Sequence, residues 1–344
     1  MRPSFFHHLH PPTIPARQSR LRYTLGAGGL SVYLALVLLV TGILEMFYYI
    51  PTPKEAGPSI QVITFLVPYG AVIRNMHYWA AQGMVIVVLL HLLRVVFTGA
   101  YAPPRRFNYL LGLTLLVLTL LLDFTGYVLR WDEGVRWALT AGTNLVKSIP
   151  WIGHDLYILI MGGVQPGAPT LTRFYAWHVF GLTLILAGIG VWHIFRVRRD
   201  GGIAVPPPEL RQDTARITRF ELVRREGLAA LIATGVLIAV ATFIPAPLAP
   251  AMTRVGAQAA DSRAPWFFLW VQQLLRQGDP FLLGVLLPAG VILLLSLLPY
   301  VLPVARQEEL GRWLPRGNRL SQIIVAILGI VIILLTIQAV LVSG

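Results

Sequence analysis

Four histidines carry the chemistry of this sequence. His77 and His91 are 14 residues apart, and His178 and His193 are 15 apart. On an α-helix, at ~100° per residue, the two members of each pair lie only ~40° and ~60° apart around the axis, and ~21–22 Å apart along it. Imidazole is a good axial ligand for haem iron, and a helical bundle can hold the porphyrin between facing helices. If the two helices run in the same direction, His77 is level with His178 and His91 with His193. That ladder predicts two stacked, six-coordinate b-type haems, held without covalent attachment. One histidine between helices is usually a satisfied polar residue. Four at matched depth on consistent faces favour the ligand reading.

Glycines repeat the interval. Gly28 and Gly42 are 14 residues apart, as are Gly112 and Gly126. Small residues also serve ordinary helix packing in membranes. The shared spacing predicts clearance for a flat macrocycle at each haem level. Arg74, Arg94, Arg173, Arg198 and Arg199 lie three to six residues from a histidine, each toward a membrane surface, where haem propionates would emerge. Interfacial snorkelling is the competing account, and it suits Arg198 and Arg199 best.

The elements that must position these residues are membrane helices. Hydrophobic residues make up 56% of the 344 and charged residues only 12%, about half the charged share of an ordinary soluble domain. Seven apolar stretches, at 31–50, 78–98, 108–129, 174–195, 228–247, 281–302 and 320–342, are each long enough to cross a bilayer. The fold class is therefore an all-α membrane protein. Its parts are an N-terminal segment 1–30, a four-helix di-haem unit 31–199, a Pro-rich linker 200–227 and a three-helix unit 228–344. The first 25 residues carry four arginines and lack a signal-peptide core, so the first span reads as an uncleaved membrane helix. The connection 130–173 holds short helices at the interface, one of them over Leu156–Met161.

The net charge of +13 would raise nucleic acid in a soluble protein, but little surface is left here to read bases. Its distribution is informative instead. Nineteen of the 28 basic residues fall at the N-terminus and in the loops after spans two, four and six. The positive-inside rule puts that side, and the N-terminus, in the cytoplasm, with the C-terminus outside. The absence of cysteine excludes disulfides, thiolate metal sites and covalent c-type haem on this chain. His7, His8 and His10 read as a solvated or interfacial cluster.

Several motifs resemble the cytochrome b family of Rieske/cytochrome b complexes. They are Thr41-Gly42 followed by Phe47-Tyr48-Tyr49-Ile50-Pro51, Arg74-Asn75-Met76-His77 leading to His91-Leu92-Leu93-Arg94, Thr125-Gly126-Tyr127, and Thr170-Leu171-Thr172-Arg173-Phe174-Tyr175 leading to His178. The 15-residue interval resembles the chloroplast-type protein, and the three-span tail resembles that complex's subunit IV, here fused. The resemblance implies a bacterial membrane subunit that oxidises quinol near the outer surface. One electron would go to a Rieske iron–sulfur protein or c-type cytochrome, and the other through the two haems to a quinone near the inside. It also implies a multi-subunit complex, dimeric in one arrangement.

Three departures stand out. The family's Pro-Glu-Trp-Tyr reads Ala264-Pro265-Trp266-Phe267, so a carboxylate expected at the outer quinol site is missing. Gly26 replaces the cysteine that holds an extra haem in the chloroplast protein, and Pro-Trp-Asp reads Arg130-Trp131-Asp132. Glu45 and Asp123 each lie three residues from an outer-level glycine. With Trp266 they are candidates for the outer quinol site, one acid handling the protons that the missing glutamate would take; an ion pair with Arg130 or Arg74 is the alternative. Two other readings remain at this point. One is a di-haem quinol-reactive anchor of another oxidoreductase without a Rieske partner, and the other a proton-coupled transporter without haem.

Overall fold

The computed structural model describes residues 12–135, 138–210, 214–250, 252 and 264–342. Among these, seven helices are long and apolar enough to cross a membrane. After a single helical turn at Leu21–Thr24, the helices in chain order are α1 (Ala27–Met46), the short α2 (Ala56–Phe65), α3 (Gly70–Phe97), α4 (Arg106–Leu129), the short α5 (Thr143–Lys147) and α6 (Gly153–Met161), and α7 (Ala168–Arg199). Beyond a connecting segment come α8 (Arg219–Phe243), the short α9 (Leu269–Leu275), α10 (Phe281–Val301) and α11 (Arg316–Val342). The expected all-α membrane fold is present, and the expected helix between residues 130 and 173 is α6.

Most spans start before their apolar stretch. α3 begins at Gly70 rather than 78, α7 at Ala168 rather than 174, and α8 at Arg219 rather than 228. Hydropathy marks the part of a helix that lies in hydrocarbon, whereas hydrogen bonding carries the helix on into the polar interface. The charged residues 219–227, expected as linker, are the first turns of α8, capped by Thr218 Oγ1 accepting from Glu221 N at 3.2 Å. Starting α1 at Ala27 rather than 31 also brings Gly28 inside the helix.

The lateral surface is apolar. Ile323, Ile327, Ile330, Leu334 and Ile337 on α11 and Leu231, Ile232 and Val236 on α8 are all exposed. Such faces are costly in water and suited to lipid. The chain is an integral membrane protein.

Three sets of contacts join the first four spans to the last three. Arg74, Asn75 and Trp79 of α3 seize the end of α8: Asn75 Nδ2 donates to Ala241 O at 2.8 Å, Trp79 Nε1 to Ile244 O at 2.7 Å, and Ala246 N donates back to Asn75 Oδ1 at 3.0 Å. At the opposite end Asn318 Nδ2 donates to Val96 O at 2.8 Å and is supported by Gln322. Tyr109 OH donates to Leu295 O at 3.0 Å, within a core of Val96, Tyr101, Leu113, Leu298 and Val325. The connecting segment is tied down as well. Strand β1 (Thr13–Pro15) pairs antiparallel with β2 (Arg216–Thr218), and Gln18 Nε2 donates to Gly201 O and Ile203 O.

Candidate functional site

α1 lies along α3, and α4 along α7. The four histidines project from α3 and α7 toward the space between these pairs. The rings of His77 and His178 have centroids 6.3 Å apart and planes inclined at 68°. An imidazole nitrogen sits about 2 Å from a bound metal, so two imidazoles flanking one ion place their ring centres roughly 6 Å apart. The His77–His178 spacing therefore fits an ion between them. His91 and His193 interact electrostatically with each other at the second level.

The interval of 15 in α7 has a structural origin. Residues Trp177–Gly181 form a π-turn, which takes one extra residue into the helix. The turn absorbs that residue, so the 15-residue spacing in α7 matches the 14-residue spacing in α3. Thr183 Oγ1 donates to His178 O at 2.5 Å, satisfying a carbonyl in the π-turn itself.

Three of the four rings are oriented through Nδ1. His178 Nδ1 lies 3.0 Å from Leu122 O and 3.1 Å from Thr125 Oγ1, and His193 Nδ1 lies 3.1 Å from the Asn108 carbonyl. A carbonyl only accepts, so these Nδ1 atoms carry the proton. His77 Nδ1 lies 2.9 Å from Thr41 Oγ1, whose own hydroxyl donates to Val37 O at 2.7 Å. That assigns the proton to Nδ1 here too. In this tautomer Nε2 presents its lone pair, as a metal ligand requires. Among the described residues no cluster of three or more His, Cys, Asp or Glu gathers. Two imidazoles per ion leave the other positions to the cofactor, which is the division of labour in a haem.

Each of the four glycines faces one histidine. A Cβ on Gly126 would stand 2.7 Å from His178 Cε1, on Gly42 3.1 Å from His77 Cε1, and on Gly28 and Gly112 3.4 Å from His91 Cε1 and His193 Cε1. The notches expected for the macrocycle thus receive the edges of the imidazoles. α1 accommodates the two rings of α3, and α4 the two rings of α7.

The arginines divide into two groups. Arg74 donates to Ala246 O and Pro247 O at 3.3 and 2.6 Å, and Arg173 to Ile158 O and Leu159 O at the end of α6. Arg199 pairs with Asp200 at 3.2 Å, and Arg198 lies beside it in the last turn of α7. Arg94 is different. Its guanidinium stacks 4.3 Å over the Tyr23 ring and Nε donates to Tyr23 O, yet Nη2 is buried without a partner. A carboxylate such as a haem propionate would satisfy it.

Near the His77–His178 pair, one turn from Gly42 and Gly126, Glu45 Oε1 and Asp123 Oδ2 are both buried without a hydrogen-bond partner. Arg130 is engaged by Asp132 at 2.6 Å, and Arg74 interacts electrostatically with Glu45 while its donors hold carbonyls. Asp123 bonds instead to Gln82, whose Oε1 accepts from Trp266 Nε1 at 2.8 Å. Gln82 was not among the candidates; its one sequence signal is an amide inside an apolar span. An apolar cleft of about 410 Å³ is lined by Ala141, Asn144, Leu145, Lys147, Ser148, Leu275 and Pro280; Leu275 ends α9, the helix that the turn opened by Trp266 leads into. His7, His8 and His10 lie outside the described residues.

A family model described as Cytochrome b(N-terminal)/b6/petB matches residues 82–251. Cytochrome b6 of Heliobacterium modesticaldum is 41% identical over 192 residues, covering 56% of this chain and 88% of that protein. Cytochrome b6 of Heliobacterium mobile is 42% identical over the same shares. A chain of a solved hyperthermophilic respiratory Complex III superposes with a TM-score of 0.80 at 21% identity, covering 98% of this chain and 88% of that one. That likeness extends the shared fold beyond the first four spans to the last three.

Proposed function

The chain belongs to the cytochrome b6 family, and from that premise we propose that it is the di-haem cytochrome b subunit of a quinol-oxidising membrane complex. The paired imidazoles of His77 and His178, at a separation that suits one metal ion, carry this reading. His77 with His178 would hold the outer b haem, and His91 with His193 the inner one. Thr41, Thr125 and the carbonyls of Leu122 and Asn108 hold three of the rings in the ligating tautomer. The glycines opposite them keep the rings close to α1 and α4. Arg94 is the arginine best placed to receive a propionate, since it alone among the five proposed has a buried donor without a partner. When bound, each haem supplies a one-electron Fe(III)/Fe(II) couple.

The remaining parts follow the same proposal. The spans α1, α3, α4 and α7 form the haem-bearing unit, and α8, α10 and α11 belong to the fused subunit IV-like unit. The charge bias puts the N-terminus and the 200–227 segment in the cytoplasm of a bacterium. The apolar cleft beside Leu145 and Leu275 has the size and lining of a site for a flat, apolar quinol. A one-electron acceptor, a Rieske iron–sulfur protein or a c-type cytochrome, would dock outside it in a multi-subunit, dimeric assembly. Quinone and lipid complete its partners.

The test is haem stoichiometry and spectrum in the purified protein. Two b haems per chain are expected, with His77→Ala removing one and His91→Ala the other. A preparation without a b-type reduced-minus-oxidised band would refute the proposal and return the transporter reading.

A further inference from the structure

Oxidising a quinol to a quinone breaks two O–H bonds and releases two electrons. In the function proposed above, on which this inference rests, the electrons leave to two one-electron carriers, one outside the membrane and one on the histidine ladder. The protons need acceptors, and an apolar cleft holds few. Among the described residues, the buried carboxylates with an unpartnered oxygen in the outer part of the spans are Glu45 and Asp123. Their settings differ. Glu45 has the Arg74 cation as its electrostatic partner. Asp123 makes no ion pair among the described residues, for Arg130 is held by Asp132.

Asp123 is also wired to the segment that borders the cleft. One carboxylate oxygen accepts from Gln82, Gln82 accepts from Trp266 Nε1 at 2.8 Å, and Trp266 opens the turn that leads into α9, whose Leu275 lines the cleft. Phe124, the next residue, packs against Phe268 with centroids 6.1 Å apart and fills the space beside Gly142. Phe124 therefore touches the two segments that supply the cleft lining, 266–275 and 138–148, and Asp123 reaches the first of them through Gln82. Tyr78 of α3 interacts electrostatically with Asp123. Asp123 Oδ2 remains unengaged.

We infer that Asp123 is the group that accepts a proton from quinol at the outer face, held in place for this by Gln82 and Trp266. A quinol O–H bond breaks, and its proton moves to Asp123 Oδ2, making a neutral carboxylic acid. The electrons pass to the two carriers, and the acid later releases the proton to water outside, which resets the carboxylate. The second quinol proton leaves to water at the mouth of the cleft.

The experiment uses the whole purified complex and follows the reduction of its b haem by a synthetic quinol in stopped flow from pH 5.5 to 9. A positioned proton acceptor contributes about 10²–10⁴ in rate. Asp123→Asn, which keeps the bond from Gln82, is expected to slow quinol-driven reduction about a hundredfold or more and to flatten its pH profile. Asp123→Glu is expected to stay within about tenfold of native. Both should keep the native dithionite-reduced spectrum. An Asp123→Asn rate within twofold of native across the range overturns the inference, and so does an Asp123→Glu as slow as the amide. Should the amide variant not incorporate haem, Gln82→Leu decides. It leaves the acid but cuts its tie to Trp266, and a native rate there overturns the inference equally. A native complex whose haem quinol cannot reduce would instead sink the outer quinol site itself.

Discussion

Gly126→Ala is the sharpest probe of the ladder. The new methyl would lie 2.7 Å from His178 Cε1 and 3.3 Å from both ring nitrogens. Carbon atoms make their best contact at about 3.5–4.0 Å, so the ring or α4 must retreat by roughly 1 Å. The ring cannot do so at no cost. Its Nδ1 bonds, 3.0 Å to Leu122 O and 3.1 Å to Thr125 Oγ1, both end on the helix that carries Gly126. A retreat would stretch them and move Nε2 relative to His77. Overpacking of this kind costs about 1–3 kcal/mol, or roughly 5- to 150-fold in occupancy of the outer site. Gly112→Ala is the matched control, since its methyl would meet His193 Cε1 at an ordinary 3.4 Å. Gly42→Ala, at 3.1 Å, should fall between them. The assay is haem per chain by difference spectroscopy, with potentiometric titration to tell the two haems apart. Gly126→Ala should lose one haem selectively, while Gly112→Ala retains both. Equal retention in all three variants, or loss in the order opposite to the contact distances, would refute the argument from ring clearance.

Three further outcomes are expected. Thr41→Val removes the acceptor at 2.9 Å from His77 Nδ1; loss of such an outer partner should weaken haem retention about 10- to 100-fold, with Thr41→Ser near native on a haem-release assay. Asp132→Ala strips the buried partner from Arg130, bonded at 2.6 Å, and the acceptor from Val135 N; a cost of about 3–5 kcal/mol should appear as a lowered thermal unfolding midpoint in detergent. The third concerns pH. In the loop between α10 and α11, desolvation works to raise the Glu309 carboxyl, but hydrogen bonds from Arg306, Gly317 and Arg316 backbone N–H groups outweigh it and hold the group below its ordinary 4.5. A depressed folded value stabilises the protein above the unfolded one and loses that contribution as pH falls through the folded one. Melting curves should therefore show the native protein losing more stability than Glu309→Gln as pH falls below about 4.5.

The ladder was legible in the sequence because its determinants are local. Spacing along one helix fixes which side chains share a face, so His77, His91, His178 and His193 and their depths could be read without knowing the packing. Locality also explains what was missed. The extra residue in the 15-residue interval from His178 to His193 is absorbed by a π-turn at Trp177–Gly181, and no residue type announces such a turn. The four glycines were found by their interval, but what fills each notch depends on the neighbouring helix, and it is an imidazole edge.

The arginines were assigned by nearness in sequence to a histidine, yet a guanidinium's partner is set by tertiary contact. Arg74 is bound to carbonyls 172 and 173 residues away, and Arg173 closes the end of α6. Both fasten the frame around His77 and His178, whereas Arg94 keeps a buried donor unengaged. The same logic separates the two acids. Glu45 and Asp123 look equivalent as charges in apolar spans, three residues from a glycine. Only the fold sets one beside Arg74 and the other within two hydrogen bonds of Trp266. A residue such as Gln82, neutral and unremarked in the sequence, makes that difference, because in hydrocarbon an amide must find partners and so decides which helices speak to which.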